Sequence, residues 1–472
     1  MKDKIFHDTV HGNIRIPELY CDLIIDTLLF QRLRRVEQSS VRSLYPCARH
    51  DRFIHSIGVF HIGSMVVEWL NNNIEEHLRE ELEPSWNIVT ESYKIACLLH
   101  DVGHSPFSHT FEHYYDINQP RMLGDKLCEV ITDPDFERDL GLGPEAKPHE
   151  KVSAYLLAHS FGGAVERLGG NAEYAVRMII GCKYTRDHTI EKQLVNCFIE
   201  ALHGEVDADR LDYAERDQWA AGFSSARIQT ERLLRSILIV RNRNTGKLQL
   251  CFTKNAINQI ENLAQIKDFQ NRWVFCHQNV KYDQHILSKA IEKVACIYGA
   301  KEEPVLEKEE TLCKIFNFNC YLNPNYQIQG QSLYLLSDDT IMQMLRQTYN
   351  ENGYAQEWLS RQYTKSPIWK TSVEFDSLFN NKASLNQAKI EAKMDDMGLA
   401  KGQDYIVIDA DCKHFTFDDG KVWICVNDST LVDINALIPK SVDRVGKMFY
   451  VYLSNGMTDL KDEVIRQIQG IV

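Results

Sequence analysis

The spacing of apolar residues constrains this chain more than any other feature. Between residues 17 and 234 they recur mostly at helical intervals, as in LYCDLIIDTLLFQRLRRV and SAYLLAHSF. We expect the helices to be interrupted at prolines, because proline ends or kinks a helix. These prolines are Pro84, Pro106, Pro120, Pro134 and Pro148. The pattern predicts a mainly α-helical core.

Short β-rich runs follow this helical region. The segment SILIVRNRNTGKLQLCF has two such runs around Asn-Thr-Gly, which is typical of a hairpin. Helices are expected again over residues 255–300 and in LSDDTIMQMLRQTY. The runs DYIVIDADCKHFTF, GKVWICVN and KMFYVYL predict strands near the carboxyl end. We therefore expect a helical core over residues 1–300, and over residues 301–472 a small α+β lobe that acts as scaffold or oligomer interface.

Composition excludes several classes of protein. The 472 residues are 44% hydrophobic and 25% charged, which is ordinary for a globular protein. A net charge of −13 argues against non-specific coating of nucleic acid or an anionic membrane. No run approaches the about 18 apolar residues of a membrane span, and MKDKIFHDTVHGN has no apolar signal core. The 13 cysteines include no Cys-x-x-Cys pair, so we expect reduced thiols in the cytoplasm and no cysteine-bound zinc.

Titratable residues cluster in LLHDVGHSPFSHTFEH, residues 98–113. The preceding apolar run predicts a buried helix, and a buried carboxylate is costly unless it is paired or bound to metal. Any one histidine here could be satisfied by backbone carbonyls, but the cluster favours a metal site. Further ligands are expected from His55, and from the aspartates of GEVDADRLDYAERD, which predicts one amphipathic helix. His61 lies six residues beyond His55 and is expected on another face.

Four segments, in order, carry a family resemblance: RFIHSIGV, LLHDVGHSPFSH, KPHEKVSAYLL and DADRLDYAERD. This set resembles the H…HD…D signature of the HD-domain phosphohydrolases, and it is most similar to the deoxynucleoside triphosphate (dNTP) triphosphohydrolases. The likeness extends to KIFHDTVHGNIRIP, IIDTLLFQRLRRVEQ, YLLSDDTIMQML and DYIVIDADCKHF, and so covers nearly the whole chain. It implies that residues 1–300 form an HD phosphohydrolase core. Water would attack the α-phosphorus of a dNTP and release deoxynucleoside and tripolyphosphate.

The resemblance also implies roles for individual residues. The metal ligands would be His55, His100, Asp101 and Asp209. Such a set suits Fe, Mn, Mg, Co, Ni or Zn. His149 matches the general acid that faces the leaving 5′ oxygen, and an imidazole suits this role. The matching phosphate contacts are His104, His109, Arg52, Arg210 and Lys267.

Sugar selection would fall to Gln38, Tyr213 and Asp217. An amide and a carboxylate that bond the 3′ hydroxyl would reject analogues that lack it. Tyr213 matches the aromatic residue that closes against the 2′ carbon and excludes ribose. Ser39 and Phe275 depart from the vertebrate pattern, which leaves the strictness of deoxyribose selection and the base preference, dGTP included, open.

The segment DTLLFQRLR resembles the strip that binds a guanine nucleotide activator in tetrameric family members. The matching positions are Lys4, Asp26, Gln31 and Arg34. This resemblance implies activation by GTP or a dNTP and a homo-oligomer, either dimer or tetramer. The alternative interpretation is a helix with an exposed basic face.

Two other functions stay open from the sequence. One is an HD phosphohydrolase that acts on single-stranded nucleic acid or a signalling nucleotide. The net charge of −13 argues against the long basic groove of a nuclease. The other is a non-catalytic nucleotide sensor, which a missing ligand or acid would favour; none is missing here.

Overall fold

The computed structural model describes residues 2–116, 120–223, 227–379, 384–410, 415–427, 430–438 and 448–471. Residues 411–414 and 447, which belong to two of the predicted strands, lie outside these ranges.

The fold is mainly α-helical, as predicted. The helices of the first half are α1 Glu18–Tyr20, α2 Leu28–Gln31, α3 Arg52–Asn73, α4 Glu76–Leu99, α5 His113–Asp116, α6 Pro120–Val130, α7 Phe136–Leu142, α8 Pro148–Arg167, α9 Ala172–Ile180, α10 Ile190–His203, α11 Ala208–Ala221 and α12 Thr230–Leu234. Those of the second half are α13 Ile257–Gln270, α14 Gln278–Gly299, α15 Lys308–Ile315, α16 Asp338–Gln347, α17 Gly353–Ser360, α18 Ser372–Leu378, α19 Gln387–Asp396 and α20 Lys461–Gln469.

Strands form small separate sheets. Their bounds are β1 Asp3–Asp8, β2 Gly12–Pro17, β3 Ile237–Arg241, β4 Leu248–Thr253, β5 Gln327–Ile328, β6 Gln331–Ser332, β7 Lys365–Pro367, β8 Tyr405–Asp409, β9 Trp423–Asn427, β10 Thr430–Asp433 and β11 Phe449–Ser454. The predicted hairpin is confirmed as the antiparallel pair of β3 and β4. Strand β9 pairs in parallel with β4, which gives a four-stranded sheet in the order β10, β9, β4, β3. Strands β7, β11 and β8 form a second sheet near the carboxyl end.

The antiparallel hairpin of β1 and β2 was not anticipated. In β2, buried Ile14 and Ile16 alternate with exposed Asn13 and Arg15, which is the period of a half-buried strand. Gly12, at a φ of 75°, supplies the left-handed conformation at the turn. The apolar side chains of β2 pack into the core, and β2 contacts α3.

The predicted break at Pro84 is wrong, because α4 continues through it. Pro84 is exposed, while Leu78, Leu82 and Val89 of the same helix are buried in the core. The packing of this apolar face stabilises the helix despite the backbone hydrogen bond that proline cannot make. The other four prolines fall between helices or at a helix start, as predicted.

Two large hydrophobic clusters and one small one, around Val41 and Val280, lie within the described residues. The main cluster joins the helices of the first half to residues of α15 and α16 and to Ile424 of β9. The second cluster is built from residues 368–410 and 448–468, together with Tyr282 and Ile286 of α14. A domain boundary at residue 300 stays a prediction, since residues beyond it contribute to both clusters.

Helix α3 is the one helix in the described ranges that is long and apolar enough to cross a membrane. However, 61% of its most apolar window is buried inside the protein. Its composition is explained by its place at the centre of the main cluster, in contact with α4 and α11.

Candidate active site

Four side chains from three helices converge in the core. His55 lies on α3, His100 caps the carboxyl end of α4 with Asp101 directly after it, and Asp209 lies in the first turn of α11. The His55 and His100 Nε2 atoms are 3.3 Å apart. Asp209 Oδ1 lies 3.0 Å from the first and 3.6 Å from the second, and Asp101 Oδ2 lies 3.6 Å from both. The structure therefore brings together the four residues predicted as metal ligands.

The chemistry of this set fits a divalent metal. His55 Nδ1 donates to Asp212 Oδ2 at 2.7 Å, and His100 Nδ1 donates to the Cys97 carbonyl at 2.9 Å. With the Nδ1 protons held in this way, each Nε2 faces the two carboxylates, and in the neutral imidazole it offers a lone pair to a metal. Although burial opposes it, hydrogen bonds with Asp209 and Asp212 raise the pKa of His55 to about 10. The surrounding negative charge thus favours a cation between the imidazoles.

Asp212 lies on the predicted helix of the segment GEVDADRLDYAERD and was not predicted as a site residue. It accepts hydrogen bonds from three side chains. Its Oδ1 accepts from His11 Nε2 at 2.6 Å and its Oδ2 accepts from His55. Arg216 Nε and Nη2 donate to it at 2.7 and 2.8 Å, and Arg216 Nη1 donates to Asp8 Oδ2 at 2.8 Å. The network connects the amino-terminal hairpin to His55, a candidate metal ligand. The helical spacing of Asp212 and Arg216 was the signal available in the sequence.

Three other histidines form a second cluster. The rings of His104 and His149 stack with centroids 4.2 Å apart, and the His109 ring centroid is 5.0 and 5.6 Å from theirs. Glu112, which sequence reasoning missed, accepts from His109 Nδ1 and His149 Nδ1, each at 2.6 Å. Although burial opposes ionisation, these bonds hold the pKa of Glu112 well below its ordinary value. The three-residue spacing of His109 and Glu112 was a usable signal.

His104 differs from the other two. Both of its ring nitrogens are buried and lack a hydrogen-bond partner among the described residues. Burial and the nearby charge of Arg52 hold its pKa well below the ordinary value, so the ring is neutral. It lies beneath the cavity surface and supports His149 by stacking.

Arg52 lines the cavity and contacts one of the candidate metal ligands. Its guanidinium pairs with Asp101, and its Nε donates to Ser108 Oγ at 2.9 Å. Its Nη2 donates to the Gln38 carbonyl at 3.2 Å. The side chain is 4% exposed, so its contact with phosphate stays a prediction while its role in fixing this wall is visible.

A cavity of about 490 Å³ opens over both clusters. The predicted site residues that line it are Gln38, Arg52, His100, Asp101, His109, His149, Asp209, Tyr213 and Asp217. Ser39 and Phe275 line it too. Lining residues that the sequence did not indicate include Lys147 and Lys281, which bring positive charge to the cavity. A lining of mixed charge around a concave space is typical of a binding site.

Arg210 and Lys267 lie beside the cavity and are not among its lining residues. Arg210 Nη1 lies 3.5 Å from carboxylate oxygens of Glu205 and Asp207. Lys267 Nζ lies 5.8 Å from the ring centroid of Tyr213, and burial lowers its pKa to about 7. Their contact with phosphates stays a prediction.

Two of the predicted sugar contacts have polar groups available. Asp217 Oδ1 accepts from His50 Nε2 at 2.6 Å, which orients the carboxylate. Gln38 Oε1 is buried without a hydrogen-bond partner in the described ranges. Both residues line the cavity with Tyr213.

The side chains of the predicted activator strip contact one another, and one of them also contacts α3. Lys4 Nζ donates to Asp26 Oδ2 at 2.8 Å. Arg34 Nε donates to Gln31 Oε1 at 2.9 Å, and its guanidinium lies 3.6 Å from the ring centroid of Phe53. Nucleotide binding there stays a prediction.

Comparison with known proteins agrees with this geometry. Residues 52–193 match the family model described as the HD domain. The chain therefore contains an HD domain. Its predicted resemblance to HD-domain dNTP triphosphohydrolases is confirmed at the level of the family.

Curated relatives match this HD-domain protein at low identity. It is 27% identical over 291 residues to an uncharacterised protein of Methanocaldococcus jannaschii, covering 61% of this chain and 49% of the relative. It is 27% identical over 290 residues to the deoxynucleoside triphosphate triphosphohydrolase SAMHD1 homolog of Dictyostelium discoideum, covering 61% and 48%. SAMHD1 of Danio rerio is 24% identical over 326 residues, covering 67% and 48%. The chain thus spans about half the length of these relatives.

Solved structures show the same fold over nearly the whole chain. A hypothetical protein from Aquifex aeolicus matches with a TM-score of 0.65 at 20% identity, covering 99% of this chain and 100% of the other. A phosphohydrolase from Bacteroides thetaiotaomicron matches with a TM-score of 0.61 at 18% identity, covering 96% and 99%.

The matched HD region does not complete the site alone. It contains three of the four candidate metal ligands and all the clustered histidines. Asp209, Tyr213 and Asp217 come from α11, beyond the matched residues, and Gln38 precedes them. Phe275 and Lys281 come from a fourth part of the chain, so the cavity is assembled from residues well outside the matched region.

Proposed function

We propose that this HD-domain protein hydrolyses dNTPs to deoxynucleoside and tripolyphosphate with the help of a divalent metal. The observation that carries the proposal is the position of two clusters in one 490 Å³ cavity. One cluster fits a metal, and the other offers imidazoles beside it. The similarity to SAMHD1 proteins supports the dNTP as substrate.

The residues that would hold the metal are His55, His100, Asp101 and Asp209. A divalent ion at this position supplies Lewis acidity toward a phosphoryl oxygen and lowers the pKa of bound water. Asp212 and the Cys97 carbonyl fix the two imidazoles from behind. Such outer partners are needed for the ligands to keep their orientation.

His149 is proposed as the acid that protonates the leaving 5′ oxygen. Its Nδ1 is held by Glu112, and the His104 ring stacks on it. The ring orientation is therefore fixed by two neighbours, with Nε2 left to hold the transferable proton. His109, held by the same carboxylate, lies on the cavity wall for contact with phosphate.

Positive charge for the triphosphate comes from separate parts of the wall. Lys147, Lys281 and Arg52 line the cavity. We propose that Lys267 and Arg210 contribute from beside it, since a bound phosphate restores the favoured charge on a lysine whose pKa is lowered by burial. These local cations offset the net charge of −13.

Other lining residues carry the proposed selection for deoxyribose. Gln38 and Asp217 would bond the 3′ hydroxyl, and Tyr213 would crowd the 2′ position. A buried amide oxygen without a partner penalises ligands that lack a donor for it. Ser39 and Phe275 line the same cavity, so base preference, including any for dGTP, is set partly by them.

We also propose that the chain forms a homo-oligomer activated by GTP or a dNTP at Lys4, Asp26, Gln31 and Arg34. These four side chains are half-buried or exposed and form the paired contacts described above. The test compares mass in solution and turnover of a single dNTP with and without GTP. Equal mass and equal turnover would contradict this part.

The decisive experiment is product analysis. Purified protein is incubated with each dNTP, singly and mixed, with Mn²⁺ or Mg²⁺, and the products are separated by ion-exchange chromatography. We expect deoxynucleoside and tripolyphosphate from the native chain and none from Asp209→Ala. Asp396→Ala, which changes an exposed aspartate on α19, is the matched control and should behave as the native chain.

The same assay separates the alternatives. Cleavage of single-stranded nucleic acid or of a signalling nucleotide, with every dNTP intact, would replace this proposal with another HD phosphohydrolase activity. Tight nucleotide binding with no turnover of any substrate would replace it with a sensor.

A further inference from the structure

A second cavity, of about 680 Å³, shares a wall with the active-site cavity. Ser40 lines both cavities. Its neighbour Gln38 lines the active-site cavity, whereas Glu37 lines the second one. Likewise Ser108 lines the first and Phe107 the second. The wall between the two cavities is therefore only one layer of chain thick.

Four arginines from different parts of the chain line this second cavity, which we call the arginine cleft. They are Arg42, Arg49, Arg346 and Arg361. A guanidinium carries five N–H donors, and few of these are used by the protein. Arg49 Nε donates to the Pro46 carbonyl at 3.2 Å, and Arg361 donates to the Ser43 carbonyl. Arg346, on α16, forms no ion pair within the described ranges.

The acidic residues of the cleft are already occupied by the protein. Asp338 Oδ1 accepts from the Phe107 N–H at 2.7 Å, and its Oδ2 accepts from the Glu37 N–H at 2.9 Å. Glu37 pairs with Arg42. Burial and the neighbouring Glu37 raise the pKa of Asp338 to about 8, so the two acids together carry less than two negative charges at neutral pH.

The remaining acids are similarly engaged. Asp283 accepts from Trp358 Nε1 at 3.1 Å and from the Tyr363 hydroxyl. Asp339 lies 3.5 Å from Arg35. The cleft therefore presents unused donors and positive charge rather than unused acceptors, which selects an anion over a cation.

One side of the cleft is apolar. Trp358 stands with its ring centroid 5.7 Å from that of Phe107, and Leu287, Met342 and Leu359 complete this side. A volume of 680 Å³ is in the range of small-molecule sites, roughly 300–1,000 Å³. The space suits a ligand with a charged chain and a less polar end.

We propose that the arginine cleft binds the polyphosphate chain of a small molecule, through Arg42, Arg49, Arg346 and Arg361. Guanidinium groups bond phosphate oxygens in pairs, and several from separate segments can surround a chain of phosphates. Both a nucleoside polyphosphate and an inorganic polyphosphate share this chemistry. The site needs no metal and none of the residues placed in the active-site cavity except Ser40.

The test is calorimetric titration of the full chain with inorganic tripolyphosphate in a chelating buffer, where no turnover occurs. The variant is Arg346→Gln with Arg361→Gln. The matched control is Arg232→Gln with Arg243→Gln, which removes the same charge from two exposed positions elsewhere. We expect the cleft variant to lose one class of binding by at least about tenfold, while the control binds as the native chain does.

Unchanged binding in the cleft variant would overturn the proposal, as would equal weakening in the control. Arg346→Gln alone changes a single exposed residue, so this variant should fold. It should show part of the loss of binding that the double variant shows.

A parallel titration with dGTP identifies the source of the ligand. If dGTP binds the cleft about tenfold more tightly than tripolyphosphate does, the ligand is a nucleotide. If the two affinities are equal, only the phosphate chain is recognised. Because the measurement uses binding only, it is independent of the proposed hydrolysis.

Discussion

Glu112 is one carboxylate that positions two imidazoles of the candidate active site. Both of its oxygens accept at 2.6 Å, one from His109 and one from His149. Glu112→Gln leaves one ring with an amide N–H where it needs an acceptor. We expect turnover to fall by about 10²-fold, a typical loss for a misplaced general acid. Metal content should not change, because Glu112 is not among the four candidate ligands.

Turnover assays and metal analysis on the same preparation check this prediction. Glu145→Gln, at an exposed glutamate paired with Lys151, is the control. Full activity in Glu112→Gln would show that the two rings need no carboxylate.

Lys267 should make stability depend on pH. Burial lowers its pKa from 10.5 to about 7 in the folded chain. Between these values the unfolded chain binds more protons, so stability rises with pH across this window. Below pH 7 the full cost of burying the charge remains. Lys267→Met should therefore stabilise the protein more at pH 6 than at pH 10.

Urea midpoints at the two pH values measure this effect. The exposed Lys254→Met is the control, with no difference expected between the two pH values. An equal gain for Lys267→Met at both would mean that its pKa is ordinary.

The His-Asp pair at the end of an apolar helix is chemically unusual and indicated His100 and Asp101, whereas the choice of His55 and Asp209 as further candidate ligands came from the family resemblance. Sequence reasoning missed Glu112 and gave Asp212 no role, since acids that orient histidines look like ordinary surface acids until the fold pairs them. The sequence also could not show that Arg52 is buried whereas Arg210 is half-buried. Which oxygens and nitrogens remain free depends on neighbours supplied by distant segments.

Close contact between α3 and α11 depends on a glycine. A Cβ at Gly58 would lie 1.9 Å from Asp212 Oδ1 and 2.6 Å from Arg216 Nη2. Gly58→Ala must displace this network, so we expect a loss of about 1–3 kcal/mol in the free energy of unfolding. Metal affinity should fall as well, because Asp212 orients His55.

Gly163→Ala on α8 is the matched control. A Cβ there meets nothing within 4 Å, so alanine should stabilise the helix by about 1 kcal/mol. Urea unfolding and metal analysis of both variants decide the matter. Equal stability and metal content in the two would show that α3 and α11 can separate at no cost.

Helices were predictable because a long amphipathic period leaves one solution for burying the apolar face. The hairpin of β3 and β4 was also predictable, from its turn residues. By contrast, the parallel pairing of β4 with β9 joins Phe252 to Ile424. No local pattern specifies a partner so far along the chain, and the continuation of α4 through Pro84 likewise depends on tertiary packing.

Residues beyond 300 pack against residues that precede them. Leu312 and Met344 lie in the main cluster, and β9 extends the sheet of β3 and β4. We expect a chain that ends at residue 300 to lose cooperative thermal unfolding and turnover, because these contacts and Asp338 are removed. Calorimetry of this fragment and of the full chain makes the comparison. A soluble fragment with a sharp transition would instead establish the predicted domain.

Asp338 is synthesised long after the two segments that it joins. It binds the backbone of Glu37 and Phe107, which lie 301 and 231 residues earlier. A ribosome delivers the histidines of the site long before it delivers this aspartate. The wall of the active-site cavity is therefore completed only after α16 has been synthesised. A nascent chain therefore carries the clustered histidines before the wall beside them is complete.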